Sequence, residues 1–361
     1  MKKRIVFICS NLSAGGAQNV VTLTSEKLVS IGYDVTIITF SSKKSDFYKL
    51  NEKIKRIPLD KLSNSKNIFN AIINNYSRIK TLRKTLKNQK FETCISFVTE
   101  TNIITIIASL FLKNKIIISE RNNPYKQDQK FIWHLLKFLT YPLADILTAN
   151  SKLAIKYYKK NIFLKKIIYS PNPLPIPQNL SYTNKKNFLS VGKLTEQKGH
   201  DILIKAFANL INNNKSFSSY SLTIAGIGKE KRNLQKLASS LGIDKNIFWV
   251  YNANIYELLK KHSIFILSSR YEGTSNALLE AISAAKPIIV SNQASDSINF
   301  LKNNHNCIIF PINDIDLLTR SMEKLSNDYN FKSKLSKNLM IDYSMHYSKS
   351  DFDSHWIDLV D

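Results

Sequence analysis

Cysteine is scarce in this sequence. Cys9, Cys94 and Cys307 stand apart, with no CxxC pair and no Cys/His cluster. That excludes the usual structural zinc modules, which need clustered thiolate and imidazole ligands. Three scattered thiols fit a reducing compartment, and Cys9, inside a run of apolar residues, reads as packing. Long apolar runs are also missing. The longest, Ile103 to Leu112, has ten residues, whereas a membrane-spanning helix needs roughly 20. The basic N-terminus leads into IVFIC, too short for a signal-peptide core and without a clean small-residue cleavage site after it. The expectation is a cytoplasmic protein, soluble or peripherally bound. Acidic residues are few: 27 Asp+Glu against 52 Lys+Arg, a formal charge of +25. Such a charge favours an anionic partner, whether nucleic acid, anionic lipid or a phosphorylated small molecule.

What is present is a chain of 361 residues with 43% hydrophobic content, ample for two domain cores. The basic excess is uneven. Between Lys43 and Lys90 there are fourteen Lys/Arg and three acids, which suits either a solvated surface or a face for an anionic membrane. RIVFICS (Arg4 to Ser10) reads as a buried parallel strand. NLSAGGAQN follows, then a helix to about Ile31, then the strand VTIITF. Strand, glycine loop, helix, strand is how an α/β parallel sheet begins. FETCISF, KIIIS and DILTAN continue it, with a helix starting at Ser151. SPNPLPIP, four prolines in eight residues from Ser170 to Pro177, breaks the pattern, since proline removes donors and biases its predecessor away from helix. The pattern then restarts: KNFLSVG, SLTIAG, NIFWVY, SIFILSS and PIIVS as strands, DILIKAFANLI, KRNLQKLASSLGI, NALLEAISAA and LLTRSMEKL as helices. The fold class is α/β, two Rossmann-like domains, with boundaries at 1–172 and 173–342 and a terminal helix in 343–361 returning to the first domain.

Three constellations carry candidate chemistry. Glu272 precedes Gly273 after the strand SIFILSS, where ligands sit on open α/β sheets; Glu280 is the one charge in NALLEAISAA. Two carboxylates held there can accept bonds from the hydroxyls of a ribose or hexose, while periodicity alone also allows Glu280 the exposed face of an amphipathic helix. Gly15 and Gly16 lie between a strand and a helix, as do Gly226 and Gly228. Such glycines allow close backbone approach by phosphate, or simply make a turn; the GxGxxG spacing is not met. Lys193 and Lys198 in VGKLTEQKGH either hold a diphosphate and stabilise its departing charge or are two surface lysines in a basic chain. All three constellations fall at carboxyl edges of their sheets, which suits a nucleoside diphosphate bearing a sugar.

These same residues resemble the retaining glycosyltransferases of family 4, whose GT-B fold sets two Rossmann-like domains across a central cleft. The resemblance spans nearly the whole chain. It is strongest in FLSVGKLTEQKGHDILIKAF, LTIAGIGKEKRNLQKLASSLGI and SSRYEGTSNALLEAISAAKPII, the last matching the family's E-x7-E segment; GGAQN and YSPNPLP match as well. The resemblance implies that Glu272 meets the donor sugar hydroxyls and Glu280 the ribose hydroxyls. Lys193 and Lys198 neutralise the diphosphate. Gly16 lets the first glycine loop approach the donor phosphate, Gly226 belongs to the donor site, and Gly273, Thr274 and Ser275 lend donors near the sugar and phosphates. Asn254 and Ile255 pass near the base. ISERNNP resembles an active-site segment of enzymes that build bacterial surface polysaccharides, with Arg121 where many relatives carry histidine. Arginine stays protonated and cannot act as a general base; it binds an acceptor phosphate or the leaving group, or it forms a structural salt bridge with Glu120 or elsewhere.

The sequence departs from the family at several points. Ala285 replaces a common glycine. SNQASDSINF (Ser291 to Phe300) replaces a glycine-rich, glutamate-bearing loop, with Asp296 the nearest acid. Gln18 and Asn19 replace a charged pair. The resemblance implies transfer of a hexosyl or N-acetylhexosaminyl group from a UDP-sugar, without a metal, to a lipid-linked or polysaccharide acceptor. QKFIWHLLKFLTYPLADIL (Gln129 to Leu147) reads as a helix mixing aromatics and lysines, followed by Lys152, Lys156, Lys159 and Lys160. It could rest on an anionic bilayer or turn Phe131, Trp133 and Leu135 into the core. A nucleic-acid binder is disfavoured because carboxylates at the sheet edges would repel a phosphate backbone. A non-catalytic glycosyltransferase-like subunit, and a phosphorylase or epimerase on the same fold, are the other readings.

Overall fold

The computed structural model describes residues 3–13, 15–63, 67–125, 131–173, 175, 185–251, 253–296, 298–346 and 349–361. Its contacts divide the chain into two compact units, Met1–Pro173 with Lys349–Asp361, and Leu174–Ser348.

The first unit is built on seven parallel strands: β1 (Arg4–Cys9), β2 (Asp34–Thr39), β3 (Lys55–Pro58), β4 (Thr93–Phe97), β5 (Lys115–Glu120), β6 (Ile146–Ala149) and β7 (Ile167–Tyr169). Their order is β3-β2-β1-β4-β5-β6-β7. The central strands are nearly unbroken apolar runs because helices cover both faces of the sheet; Ile5, Val6, Phe7 and Ile8 of β1 are fully buried. The helices between them are α1 (Gly16–Ser30), α2 (Ile68–Gln89), α3 (Thr99–Ser109), α4 (Phe131–Thr140) and α5 (Lys152–Asn161). Ile5 registers with Val35 on one side and Thr93 on the other. Strand order therefore reverses beside β1, and the glycine turn after it opens at a topological switch point, where such sheets bind ligands.

The second unit repeats the plan with β8 (Asn187–Val191), α6 (His200–Asn213), β9 (Ser221–Ala225), α7 (Lys231–Ser240), β10 (Ile247–Val250), α8 (Ile255–Lys261), β11 (Ile264–Leu267), α9 (Asn276–Ser283), β12 (Ile288–Ser291), α10 (Asn292–Ser295), β13 (Ile308–Phe310), α11 (Ile315–Asn327) and α12 (Tyr329–His346). The sheet order is β10-β9-β8-β11-β12-β13, all parallel. Here the switch lies between β8 and β11. The turn carrying Lys193 and Lys198 leaves the first of these strands, and the turn carrying Glu272 leaves the second.

Two helices differ from their reading in the sequence. The stretch 129–147 is not one helix. Gln129 and Lys130 lie outside the described residues; α4 ends at Thr140, a 3-10 turn containing Pro142 follows, and Ile146 and Leu147 already belong to β6. Proline explains the stop, since it cannot continue the hydrogen-bond ladder. Residues 343–346 complete α12, and α13 (Lys349–Val360) is separate. Trp356 of α13 is buried with its ring 6.4 Å from Phe7, and Lys3 pairs with Asp361 at 3.1 Å. Among the described residues no helix is long and apolar enough to cross a membrane.

Candidate functional site

The turns after β8 and β11 are sewn together by short polar contacts. Arg270 grips Asp201 with two bonds of 2.8 and 2.7 Å and donates to the Glu196 carbonyl at 2.7 Å. Its own amide donates to the Gln197 carbonyl at 2.7 Å, and Ser268 Oγ donates to the Gly199 carbonyl at 2.8 Å. Gly199 has φ +62°, and a Cβ there would stand 2.0 Å from the Ser268 carbonyl oxygen. Only glycine permits that approach.

This stitching brings Lys198 to Glu272. Lys198 Nζ lies 2.5 Å from Glu272 Oε1, with side chains 15% and 6% exposed. The same oxygen accepts from Ser269 Oγ at 2.6 Å. A carboxylate so nearly buried is costly without such partners, and charge-assisted bonds are the stronger kind. Lys193 is exposed and takes no part in this pair. His200, the first residue of α6, is buried just behind the turn. Burial pushes its imidazole down to about 4, with the Lys198 charge adding to the effect. It is therefore neutral at physiological pH.

Ser275 caps α9, its hydroxyl accepting from the Leu278 amide at 3.4 Å. Gly273 is buried and Thr274 half-buried between Glu272 and this cap. The inner face of α9 carries Leu278, Leu279, Ala281 and Ile282, while Glu280 is half-buried beside it. Glu280 is neither fully in solvent nor in the core. Its neighbour is Tyr256 on α8, whose hydroxyl is pushed up to about 12, first by burial, with the Ser283 bond opposing and the Glu280 charge adding. Asn254 caps α8, accepting from the Tyr256 amide at 2.9 Å, and Ile255 opens that helix and packs on the apolar cluster under α9. Gly226 ends β9 with φ +154°, and a Cβ would lie 1.9 Å from the Gly192 carbonyl oxygen. Its lack of a side chain is demanded by packing of the β9 turn on the β8 turn.

Two candidate residues belong to the other unit. Gly16 is the exposed first residue of α1. Arg121 follows β5 and is buried. Its Nε donates to Ser119 Oγ at 2.8 Å, and its Nη1 to the Ser170 carbonyl at 2.8 Å and Asn172 Oδ1 at 3.2 Å. The guanidinium lies 5.5 Å from the Phe97 ring centroid. Burial lowers it to about 9, with Tyr169 opposing. The alternative reading, a salt bridge with Glu120, is not among these contacts. Glu120 instead accepts from Thr99 Oγ1 at 2.8 Å, Asn102 Nδ2 at 3.3 Å and the Tyr141 hydroxyl, because consecutive residues leave the strand end toward opposite faces.

Sequence reasoning passed over His200 and Tyr256. The signal for His200 was available: it stands at the start of a helix whose next residues but one, Ile202 and Leu203, are core. In the replaced loop, Asn292 to Ser295 form a helical turn, with Asn292 Oδ1 accepting from the Ile312 amide at 3.1 Å; Ser297 lies outside the described residues. Among the described residues no three His, Cys, Asp or Glu side chains are grouped to hold a metal ion.

Residues 175–339 match the model of the family described as glycosyl transferases group 1. Over 99% of this chain and 98% of the other, the sequence is 29% identical to the GalNAc-alpha-(1->4)-GalNAc-alpha-(1->3)-diNAcBac-PP-undecaprenol alpha-1,4-N-acetyl-D-galactosaminyltransferase of Campylobacter jejuni. Among solved structures, sucrose-phosphate synthase from Thermosynechococcus elongatus superposes with a TM-score of 0.83 at 13% identity, covering 99% of this chain and 98% of that one. Anabaena HepE in complex with UDP and glucose gives 0.79 at 11% identity, covering 99% of each. Two parallel sheets flanked by helices match the GT-B architecture of these solved structures, and the sequence matches support glycosyltransferase activity in a chain related to transferases that use nucleotide sugars.

Proposed function

We propose that this enzyme moves a hexosyl or N-acetylhexosaminyl group from a UDP-sugar to a lipid-linked or polysaccharide acceptor in cell-surface glycan synthesis, with retention at the anomeric carbon. The observation that carries the reading is the Lys198–Glu272 pair held at the β8/β11 switch point. Glu272 accepts from the sugar hydroxyls and Glu280 from the ribose. Lys198 and Lys193 face the diphosphate, with Gly226, Gly273, Thr274 and Ser275 admitting its oxygens. Asn254 and Ile255 lie along the base. The bond between the anomeric carbon and the phosphate oxygen breaks with its electron pair leaving on the diphosphate. The acceptor oxygen bonds to that carbon from the same side, and its proton passes to the departing phosphate oxygen. Lys198 is already aligned by Glu272, so it offers a fixed positive charge where negative charge develops, at little cost in reorganisation. Arg121, a cation without a carboxylate partner among the described residues, suits an acceptor phosphate or the leaving group. The name of the Campylobacter relative, a transferase acting on an undecaprenol-linked glycan, and the UDP and glucose in the Anabaena complex support the donor and acceptor classes.

A lipid-linked acceptor would place the enzyme peripherally on the inner face of the cytoplasmic membrane, and the first unit offers a surface for it. Helix α4 is inverted. Its lone lysine, Lys137, is 3% exposed, while Phe131 is 81% and Phe138 60% exposed, with Ile132, Leu135 and Leu139 beside them. These positions form one stripe at helical spacing. The neighbouring α5 exposes Lys152, Lys156, Lys159 and Lys160, and α2 exposes Phe69, Ile72, Ile73 and Tyr76. Apolar stripe beside basic rim is the chemistry of an anionic bilayer interface. A thermal-shift panel of nucleotide sugars tests the donor. A UDP-sugar should raise the melting temperature of the wild type and leave Glu272→Ala unmoved; no response from the wild type to any nucleotide sugar would overturn the proposal.

A further inference from the structure

A tyrosine joins α8 to α9 beside Glu280. Tyr256 is fixed at the start of α8, where its amide donates to Asn254 Oδ1 at 2.9 Å, and its ring packs on the apolar cluster under α9. Its hydroxyl reaches Ser283 Oγ at 3.4 Å. Ser283 stands three residues after Glu280 on the same helix, and its hydroxyl donates to the Glu280 carbonyl at 2.8 Å. Residues three apart share a helix face, so the Tyr256 hydroxyl and the Glu280 side chain lie on one side of α9. The Glu280 charge is felt at that hydroxyl. Ser283 has one hydroxyl proton and the Glu280 carbonyl takes it, so Tyr256 is the donor in the 3.4 Å contact. An O–H···O bond is ordinarily about 2.8 Å long. This one is weak and leaves the Tyr256 proton available to a better acceptor. Among the described residues the hydroxyl has no other hydrogen bond. A carboxylate accepts and cannot donate, whereas a phenol hydroxyl can donate. A ligand hydroxyl does both, so a carboxylate and a phenol side by side satisfy one such group completely.

We infer that Tyr256 is a specificity-determining residue of the donor site: it donates its proton to the oxygen of the same ribose hydroxyl whose proton Glu280 accepts. The inference rests on the donor reading above. A site built this way rejects an analogue that lacks the hydroxyl, because both side chains are left with unfilled bonds. The test is titration of wild type, Tyr256→Phe and Ser283→Ala with UDP, 2′-deoxy-UDP and 3′-deoxy-UDP. The wild type should prefer UDP to at least one deoxy analogue. Tyr256→Phe keeps the ring and its packing. It should shrink that preference by about 2- to 12-fold, the worth of one ordinary hydrogen bond, with little change in affinity for the deoxy analogue itself. Ser283→Ala removes the partner that Tyr256 has in this structure and should leave the preference at its wild-type size. A preference that Tyr256→Phe leaves unchanged overturns the inference and leaves the donor reading standing. So does an equal loss in Ser283→Ala, which would make the tyrosine a tie between two helices. A wild type that binds UDP and both analogues equally overturns the ribose contact given to Glu280, and this inference with it. A wild type that binds no UDP overturns the donor reading as a whole.

Discussion

Replacing His200 by Gln isolates one titration in the buried region behind the Lys198 turn. The folded imidazole sits at about 4, against an ordinary value of 6.5, because burial and the nearby Lys198 charge disfavour its protonated form. A base whose folded value is depressed takes up its proton more readily when the chain unfolds. Wild-type stability is therefore complete above pH 6.5 and falls as pH drops from there toward 4. Each pH unit of that gap is worth about 1.4 kcal/mol, so the full fall from this one group is roughly 3 kcal/mol. Glutamine cannot titrate and loses this term entirely. Urea unfolding followed by circular dichroism, at pH steps from 8 to 4, gives both stability curves. The carboxylates common to both proteins cancel in the difference. That difference should be flat above pH 7 and should shrink or reverse against the wild type by roughly 3 kcal/mol at pH 4. Two curves that stay parallel down to pH 4 would refute the placement of His200 as a buried neutral group.

Other substitutions probe the frame around the site. Gly226→Ala puts a methyl 1.9 Å from a backbone oxygen at a φ of +154°; strain of about 1–3 kcal/mol, seen as a lower melting temperature, should accompany loss of UDP binding as the β8 turn shifts. Trp356→Ala empties a buried position against Phe7 and should cost about 3–5 kcal/mol, measured by denaturation. Phe131 and Phe138 changed together to Ser should abolish sedimentation with anionic phospholipid vesicles while transfer to a water-soluble acceptor continues. Sedimentation equal to wild type would contradict the role given to α4.

The sheets were legible where their strands are buried on both faces. RIVFICS, VTIITF, KIIIS and SIFILSS announce β1, β2, β5 and β11 because a doubly covered strand has nowhere to put a charge. The edges were not legible. β3 is KRIP, four residues containing two cations and a proline; Arg56 is tolerated there because it reaches Asp46 and Thr39 Oγ1. β7 and β13 have three residues each, too few to show a period. At the candidate site the sequence supplied both members of the Lys198–Glu272 contact but not their pairing. The pair joins residues 74 apart in the chain, through a turn lattice of Arg270, Asp201 and Gly199 that no local pattern reveals. Sequence reasoning also treated Lys193 and Lys198 as equivalents, whereas burial separates them. Glu280 was ambiguous from periodicity, and its half-buried position beside the apolar face of α9 shows why: it sits on the border between the two faces that a helical period distinguishes.

The pair itself offers the most direct test. Transfer from a UDP-sugar should be measured for the wild type, Lys198→Met and Glu272→Gln, each shown to be folded by circular dichroism. If Lys198 supplies the fixed charge at the departing diphosphate, Lys198→Met lowers kcat by roughly 10²- to 10³-fold, the usual loss on removing one such donor, and Glu272→Gln also loses activity as the lysine is released. Rates for both variants within about threefold of the wild type, far inside the loss expected for such a donor, would contradict the account at its centre.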